Sequence, residues 1–257
     1  MNSAQKHRKY CNHVKNILFT NSTKNIPKDN NLIRLMDLAS GRGGDIFKWN
    51  KLHIGLVYGF DIDQNSTKEA IRRYSEAIKN RIINIKISFY TTNISSNHNF
   101  IQNKIKKPVD IISCMFALHY FSQKLSTLTS FIKMVSQSLN VGGIFTGIAP
   151  DSKYIKKILN NKDIYNNPNV IIRKSKDKQN SYQFMILDES GNDYFSFKGI
   201  SSEFFINKEQ FKTLAIKYHL QLQGNFKNIF DHYPPHHDKV NISQLYFSFT
   251  FKKVNIV

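Results

Sequence analysis

The stretch RLMDLASGRGGDIFKW, Arg34–Trp49, decides the fold. It joins an apolar run that ends in a carboxylate, Asp37, to a turn with three glycines and then to the start of a helix. A second apolar run, residues 54–63, carries Asp61 at its end, twenty residues after Gly41. Near-continuous apolar runs are typical of buried parallel strands. The stretch therefore predicts the first strand–turn–helix unit of an α/β protein.

The same alternation of strand and helix continues to about residue 150. Strand-like runs lie at residues 83–95, 108–120 and 144–151, with an amphipathic helix over 124–140. Short connections between alternating strands and helices predict a doubly wound, mostly parallel sheet with helices on both faces. The helix after the second strand is expected to be capped at Asn65 or Ser66. Its inward face is predicted to hold Ala70, Ile71, Tyr74 and Ile78.

Composition favours a folded protein with an acidic partner. The 257 residues are 40% hydrophobic, and 37 Lys and Arg face 18 Asp and Glu, a net charge of +19. Such an excess of positive charge favours a nucleic acid as the binding partner, although a basic surface kept for solubility is the alternative.

The two cysteines, Cys11 and Cys114, are too few for a disulfide scaffold or a zinc cluster. With neither an apolar run of membrane length nor a signal peptide, we expect a soluble cytoplasmic protein.

The glycine turn lies where an open α/β sheet binds its ligand. A dinucleotide fingerprint would need glycine at position 46, but Ile46 is there, and the P-loop pattern is also absent. Asp37 is suited to the ammonium of an amino-acid moiety, and Asp61 to two ribose hydroxyls. Together with a sulfonium, these groups describe S-adenosylmethionine. Although glycines serve turns and aspartates cap helices, the pattern D-x-x-x-G-x-G-G with a downstream Asp predicts a class I S-adenosylmethionine-dependent methyltransferase.

Several motifs, in order along nearly the whole chain, resemble the mRNA cap guanine-N7 methyltransferases. MDLASGRGGDIFKW is similar to that family's D-L-x-C-G-K-G-G-D-L-x-K-W, and FALHYFS to its Q-F-x-x-H-Y. The segments RKYCNHVKNIL, GIAPD, SSEFFI and QLYFSFTFKK resemble four further family motifs. The Lys- and Asn-rich divergence suggests the methyltransferase domain of a capping enzyme from a large cytoplasmic DNA virus, of the asfarvirus or poxvirus type.

The resemblance implies two sets of site residues. The cofactor is expected at Lys15, Asp37, Gly41, Asp61, Asn93 and Met115. The cap guanine is expected at Phe116, His119, Tyr120, Pro150, Glu203 and Tyr246. For His119, a hydrogen-bonded core histidine is the alternative interpretation.

The reaction needs no general acid or base, because guanine N7 is an unprotonated lone pair and the methyl group sits on a cationic sulfonium. Catalysis is therefore expected from in-line positioning. The aromatic faces of Phe116 and Tyr120 and the carboxylate of Glu203 would stabilise the positive charge that passes onto guanine.

Four positions depart from the family pattern. Ser40 and Arg42 replace the usual Cys and Lys in the glycine turn, where the backbone does the binding. Met115 stands where the family has Gln, and Asn93 stands at the usual adenine-side Asp. An amide at 93 still offers an oxygen to the exocyclic amine of adenine.

We expect a single methyltransferase domain over residues 1–257. Its parts are an N-terminal helical segment at 1–31, a cofactor-binding core at 32–150, an inserted antiparallel substrate-side segment at 151–206, and a closing helix and strands at 207–257. The run at 193–199 is predicted to be one strand of the insertion.

Capped RNA is the expected partner. Covalently linked triphosphatase and guanylyltransferase domains would suit a multifunctional capping enzyme, whereas a stimulatory subunit is not implied. Two other functions stay open: an inactive methyltransferase-fold subunit that binds RNA, and a methyltransferase for another RNA. No metal is expected, because the spacing in DHYPPHHD, residues 231–238, matches no zinc pattern.

Overall fold

The apolar runs form the strands of one central sheet in the computed structural model. The described residues are 3–26, 32–160, 162–176, 179–188, 190–193, 201–232 and 241–255. The parallel strands are β1 (Arg34–Leu38), β2 (Leu56–Asp61), β3 (Lys86–Thr91), β4 (Val109–Met115) and β5 (Leu139–Pro150).

The helices are α1 (Ser3–Lys24), α2 (Ile46–Lys51), α3 (Gln64–Lys79), α4 (His98–Ile105), α5 (Leu125–Ser138), α6 (Ser152–Leu159) and α7 (Lys208–Lys217). Short 3-10 helices span Leu118–Phe121, Ile229–His232 and Asn241–Leu245. Among the described residues, no helix is long and apolar enough to cross a membrane.

A second, antiparallel sheet follows α6. It contains β6 (Ile164–Asn167), β7 (Val170–Lys174), β8 (Ser181–Ile186) and β9 (Ser201–Phe204), in that order. The predicted strand at 193–199 lies outside the described residues except for Asp193, which forms a bridge with Leu187.

The late strands complete the central sheet. They are β10 (Leu220–Leu222), β11 (Lys227–Asn228) and β12 (Tyr246–Lys253), and β12 inserts antiparallel between β5 and β10. The strand order is β10-β12-β5-β4-β1-β2-β3, with β11 paired to β12. The reversal of strand order beside β1 and β4 marks the edge where such sheets bind ligands.

Side chains alternate across the sheet and supply one core on each face. Leu35 of β1 packs with residues of α1, α2, α3, α6 and the second sheet. Met36 and Leu38 pack on the other face with residues of α4, α5 and α7. Asp37 lies between them in sequence and so points to the α1 side. The predicted fold class, a parallel sheet covered on both faces with an antiparallel insertion, is confirmed.

Two predictions about α3 are wrong. Its N-cap is Asp63, whose carboxylate accepts from the Ser66 amide, so neither Asn65 nor Ser66 is the cap. Ala70 is buried as predicted, but Ile71 and Ile78 are exposed. Small side chains at positions 67, 70 and 77 face the sheet instead, because α3 packs closely against it.

Candidate active site

The glycine turn between β1 and α2 presents backbone rather than side chains at the sheet edge. Ala39, Gly41 and Gly43 have positive φ angles of 64°, 52° and 69°. A Cβ at Gly41 would meet no atom within 4 Å, so the space in front of Gly41 is open to a ligand. A Cβ at Gly43 would lie 3.1 Å from the Cβ of Ala70. Gly43 therefore serves close packing against α3.

Asp61 ties this turn to the end of β2. Its Oδ2 accepts from the Gly41 amide at 2.7 Å, and its Oδ1 accepts from the Asp63 amide at 2.9 Å. Each carboxylate oxygen has a further lone pair, so the group that fixes the turn is still able to accept hydroxyl donors.

Asp37 is a buried carboxyl group on the α1 side of β1. Ser113 donates to its Oδ1 at 2.5 Å. Burial raises the pKa of Asp37 to about 7, and the nearby Asp45 carboxylate adds to this, while Ser113 and Lys15 oppose it. A cation placed beside Asp37 would stabilise the carboxylate and restore its negative charge.

Lys15 reaches this region from α1 and is held by Asp45. The Lys15 Nζ lies 2.8 Å from Asp45 Oδ2, and the Lys48 Nζ lies 2.7 Å from Asp45 Oδ1. Burial lowers the pKa of Lys15, but the Asp45 carboxylate outweighs it, so the pKa lies above its usual value. Asp45 was missed in the sequence, although it ends the GRGGD motif.

Two of the four positions that depart from the family pattern, Asn93 and Met115, lie at the same edge of the sheet. Asn93 is exposed just beyond β3, and its Oδ1 accepts from the Ser95 amide at 3.0 Å. The preceding residue, Thr92, donates its amide to the Asp61 carbonyl at 2.7 Å. Met115 is buried at the end of β4. The six predicted cofactor residues thus come from α1, the glycine turn and the ends of β1, β2, β3 and β4.

A cavity of about 600 Å³ lies between α1, the segment after β4 and the second sheet. Five of the six predicted guanine residues line it: Phe116, His119, Tyr120, Glu203 and Tyr246. Pro150 is not among the lining residues, but it ends β5 and pairs in register with Tyr246. Lys15 also lines the cavity, so the two predicted sets of residues adjoin.

Glu203 and His119 form the polar part of the cavity wall. The hydroxyl of the fully buried Tyr182 donates to Glu203 Oε2 at 2.6 Å. His119 Nε2 lies 3.8 Å from Glu203 Oε1. Burial lowers the pKa of His119, with Glu203 opposing, so the ring is held neutral. Tyr182 was missed because its role depends on the pairing of β8 with β9.

His119 is only 2% exposed, yet neither ring nitrogen has a hydrogen-bond partner among the described residues. No hydrogen bond among the described residues thus supports the alternative of a hydrogen-bonded core histidine. Buried polar atoms are nearly always paired, so an orphaned imidazole on a cavity wall indicates that a ligand supplies the partner.

Aromatic rings surround these polar groups. Phe116 has a positive φ of 62°, and its amide donates to the Ile148 carbonyl at 2.7 Å, which turns the ring toward Tyr246. The Phe116 and Tyr246 rings meet edge to face at 5.2 Å, and the ring of Tyr120 lies 4.0 Å from that of His119. His7 of α1 stacks on Tyr246 at 5.7 Å. The cavity therefore offers a flat, mostly apolar slot beside the carboxylate of Glu203, which fits a planar base with adjacent N–H donors. Asp193 also lines the cavity.

Residues 3–253 match the family model of the mRNA (guanine-N(7))-methyltransferase domain. The chain belongs to this family. The resemblance carried by the sequence motifs is thereby confirmed.

The described residues contain no group of three or more histidine, cysteine, aspartate or glutamate side chains that could hold a metal ion. Of the segment 231–238, only Asp231 and His232 are described, and His232 Nε2 lies 2.7 Å from the Ser248 hydroxyl.

Several cap methyltransferases are similar to this family member. The mRNA cap guanine-N(7) methyltransferase of Candida albicans is 30% identical over 175 residues, covering 59% of this chain and 35% of that protein. The Debaryomyces hansenii protein of the same name is 28% identical over 268 residues, covering 91% of this chain and 51% of that protein. The chain thus spans about a third to a half of the length of these curated relatives.

Solved structures confirm the fold. An S-adenosylmethionine-dependent methyltransferase from Clostridium acetobutylicum superposes with a TM-score of 0.62 at 16% identity, covering 94% of this chain and 91% of that one. The protein PH0226 from Pyrococcus horikoshii gives a TM-score of 0.57 at 14% identity, covering 97% and 92%. At these identities the likeness shows the class I methyltransferase fold alone.

Proposed function

We propose that this chain transfers the methyl group of S-adenosylmethionine to N7 of the terminal guanine of capped mRNA. The observation that carries the proposal is the cavity, in which Glu203, the orphaned His119 and the rings of Phe116, Tyr120 and Tyr246 converge beside the glycine turn. Membership of the guanine-N7 methyltransferase family supports it.

On the cofactor side, each group present suits one part of S-adenosylmethionine. The Asp37 carboxylate matches the ammonium, the spare lone pairs of Asp61 match the ribose hydroxyls, and Asn93 offers an amide to adenine. Gly41 leaves room beside the turn, Lys15 lines the adjoining cavity, and Met115 is buried at the end of β4. The cofactor supplies an electrophilic methyl group on a sulfonium, and the chain's residues hold and orient it.

On the guanine side, Glu203 accepts from the N–H groups of the base edge while the aromatic rings contact its faces. The carboxylate of Glu203 also stabilises the positive charge that the base acquires as N7 is methylated. Since no proton leaves N7, Tyr182 and the neutral His119 act in positioning, and no residue is assigned as a general base.

The finer predictions are supported more weakly. The net charge of +19 supports RNA as the partner that continues beyond the cap. The domain division at residues 31, 150 and 206, a cytoplasmic location, an origin in a large DNA virus, and linked triphosphatase and guanylyltransferase domains all stay predictions.

Methyl transfer to RNA tests the proposal directly. The chain is incubated with labelled S-adenosylmethionine and GpppA-capped RNA, which is then digested to nucleosides, and the label is expected in 7-methylguanosine. Label in another nucleoside would support a methyltransferase for a different RNA position. Cofactor binding by calorimetry without transfer to any RNA would support the inactive RNA-binding subunit.

A further inference from the structure

His7 is a buried histidine of α1 whose ring packs against one wall of the guanine slot. Both His7 and Tyr246 line the cavity. Their rings are stacked, with centroids 5.7 Å apart and planes inclined by 25°. Phe116 and Phe184 meet the same tyrosine edge to face, at 83° and 89°. Among the described residues, His7 therefore supplies the ring that lies nearly parallel to Tyr246 and supports one of its faces.

Both nitrogens of the His7 ring have partners. Nδ1 lies 3.1 Å from the Ser243 hydroxyl, and Nε2 lies 3.4 Å from the sulfur of Cys11, one turn further along α1. Because sulfur is a weak acceptor, we assign the thiol as the donor to Nε2 and the Nδ1–H group as the donor to Ser243. Ser243 is also buried and lies three residues before Tyr246. The imidazole is thus fixed in its plane by α1 and by the segment that leads into β12.

The charge of His7 suits a place beside the slot. Burial lowers the pKa of His7 to about 4, so the ring is neutral at neutral pH. A neutral ring does not repel the positive charge that guanine acquires when N7 is methylated. The plane of Tyr246 matters for the reaction, because a small misplacement of the bound base moves N7 off the line of methyl transfer.

We propose that His7 is a positioning residue, which holds the ring plane of Tyr246 and thereby the alignment of guanine N7 with the methyl group. The aromatic ring of His7 supports Tyr246, and the hydrogen bonds to Ser243 and Cys11 keep that ring in place. This inference rests on the proposed function, because it takes the substrate to be a capped guanosine. It assigns His7 no proton transfer and no part in binding S-adenosylmethionine.

Substitutions at position 7 separate the ring from its hydrogen bonds. His7→Phe keeps a ring beside Tyr246 but loses the bond to Ser243, whereas His7→Asn keeps a donor near the place of Nδ1 but has no ring. In steady-state kinetics with the capped dinucleotide GpppA, His7→Asn should lower kcat/KM about tenfold, the most that one aromatic pair contributes. His7→Phe should stay within about threefold of wild type, because its ring still supports Tyr246. The reverse order of the two variants would overturn the inference.

A second variant without a ring guards against a failure to fold. His7→Gln fills more of the buried space than His7→Asn, and it should show the same loss of about tenfold in kcat/KM. Melting curves identify which of the two variants is folded. Normal kcat/KM for GpppA in either folded variant would overturn the inference.

Tyr10→Phe is the matched control on the same helix. The Tyr10 hydroxyl donates to the Ile229 carbonyl at 2.6 Å and so also joins α1 to a late segment, but Tyr10 is not among the residues that line the cavity. Losing this bond should lower the melting temperature and leave kcat/KM within about twofold of wild type. A loss of kcat/KM equal to that of His7→Asn would show that His7 only anchors α1, against the inference.

A double-mutant cycle shows whether the effect of His7 passes through Tyr246. In a Tyr246→Ala background, His7→Asn should change kcat/KM by less than about twofold, because the ring that His7 holds is gone. Its effect on the melting temperature should persist there, and calorimetry should give an unaltered Kd for S-adenosylmethionine. An undiminished loss of kcat/KM in that background, or a Kd that rises with His7→Asn, would contradict a role through Tyr246.

The outcomes for the two proposals are distinguishable. A wild-type protein that binds S-adenosylmethionine but does not methylate GpppA would overturn the proposed function and this inference with it. A wild-type protein that methylates GpppA, combined with a folded His7→Asn variant of normal kcat/KM, would overturn this inference alone.

Discussion

The carboxyl group of Asp37 is expected to make cofactor affinity depend on pH. Its pKa is raised to about 7 by burial and by Asp45, so acid below pH 7 removes the charge that an ammonium needs. We expect the Kd for S-adenosylmethionine to rise about tenfold for each unit between pH 7 and pH 5.5. Asp37→Asn should bind weakly at every pH and lose this slope. Calorimetry across the range measures both, and a pH-independent wild-type Kd would contradict the assignment.

The same group should shift the free energy of unfolding of the cofactor-free protein. The pKa of Asp37 is about 7 in the folded protein against an ordinary value of 3.8, so the folded state binds the extra proton between these values. Its contribution therefore lowers stability as pH rises from about 4 to 7, and is constant outside that window. Urea unfolding of Asp37→Asn and wild type at pH 5 and 8 should show the variant gaining relative stability at pH 8.

Glu203 and Tyr182 should affect turnover to different degrees. Glu203→Gln keeps the size of the side chain but loses the charge that favours the cationic product, and we expect kcat to fall by about 100-fold. Tyr182→Phe removes only the hydroxyl that donates to Glu203 at 2.6 Å, so a loss of about tenfold is expected. As a control for folding, the Kd for S-adenosylmethionine and the melting temperature of each variant are compared with those of wild type. Normal methyl transfer by a stable Glu203→Gln variant would refute its place beside guanine.

At the scale of elements, the two glycines of the turn between β1 and α2 should respond differently to alanine. Both need a positive φ, which costs about 1 kcal/mol for alanine. Gly43→Ala also pushes a methyl group to 2.8 Å from Ile46 Cδ1 and 3.1 Å from Ala70 Cβ, and should cost about 1–3 kcal/mol more.

Gly41→Ala meets no protein atom, so its methyl group should mainly weaken cofactor binding. Denaturant unfolding and calorimetry on the two variants give the comparison. A Gly43→Ala protein as stable as Gly41→Ala would show that α3 moves aside freely.

Local patterns predicted the central strands well. The apolar runs that contain Asp37 and Asp61 form β1 and β2. Strands buried on both faces of a sheet are recognisable in a sequence as continuous apolar runs, without alternation of polar and apolar residues. The cap and inward face of α3 were wrong because tertiary packing selected small side chains and Asp63. Asp45 and Tyr182 were missed because their roles arise only from contacts between distant segments.

At the scale of the whole molecule, the net charge of +19 should make RNA binding depend steeply on salt. Each phosphate that the protein neutralises on a single strand adds about −0.7 to the slope of log affinity against log salt. A capped 20-mer should therefore show a steeper slope than GpppA, with binding measured between 50 and 200 mM salt, in the range where such contacts weaken strongly. Equal slopes for the two ligands would contradict an RNA path beyond the cavity.

The position of β12 sets an order of events during synthesis of the chain. The strands that carry Asp37 and Asp61 leave the ribosome well before Tyr246, which supplies one wall of the guanine slot. Helix α1 can complete its packing only after late segments have been synthesised. The Tyr10 hydroxyl donates to the Ile229 carbonyl, and His7 Nδ1 lies 3.1 Å from the Ser243 hydroxyl. The nascent protein therefore contains the strands of its cofactor side first. A ribosome stalled before β12 carries a chain whose guanine slot still lacks the wall supplied by Tyr246.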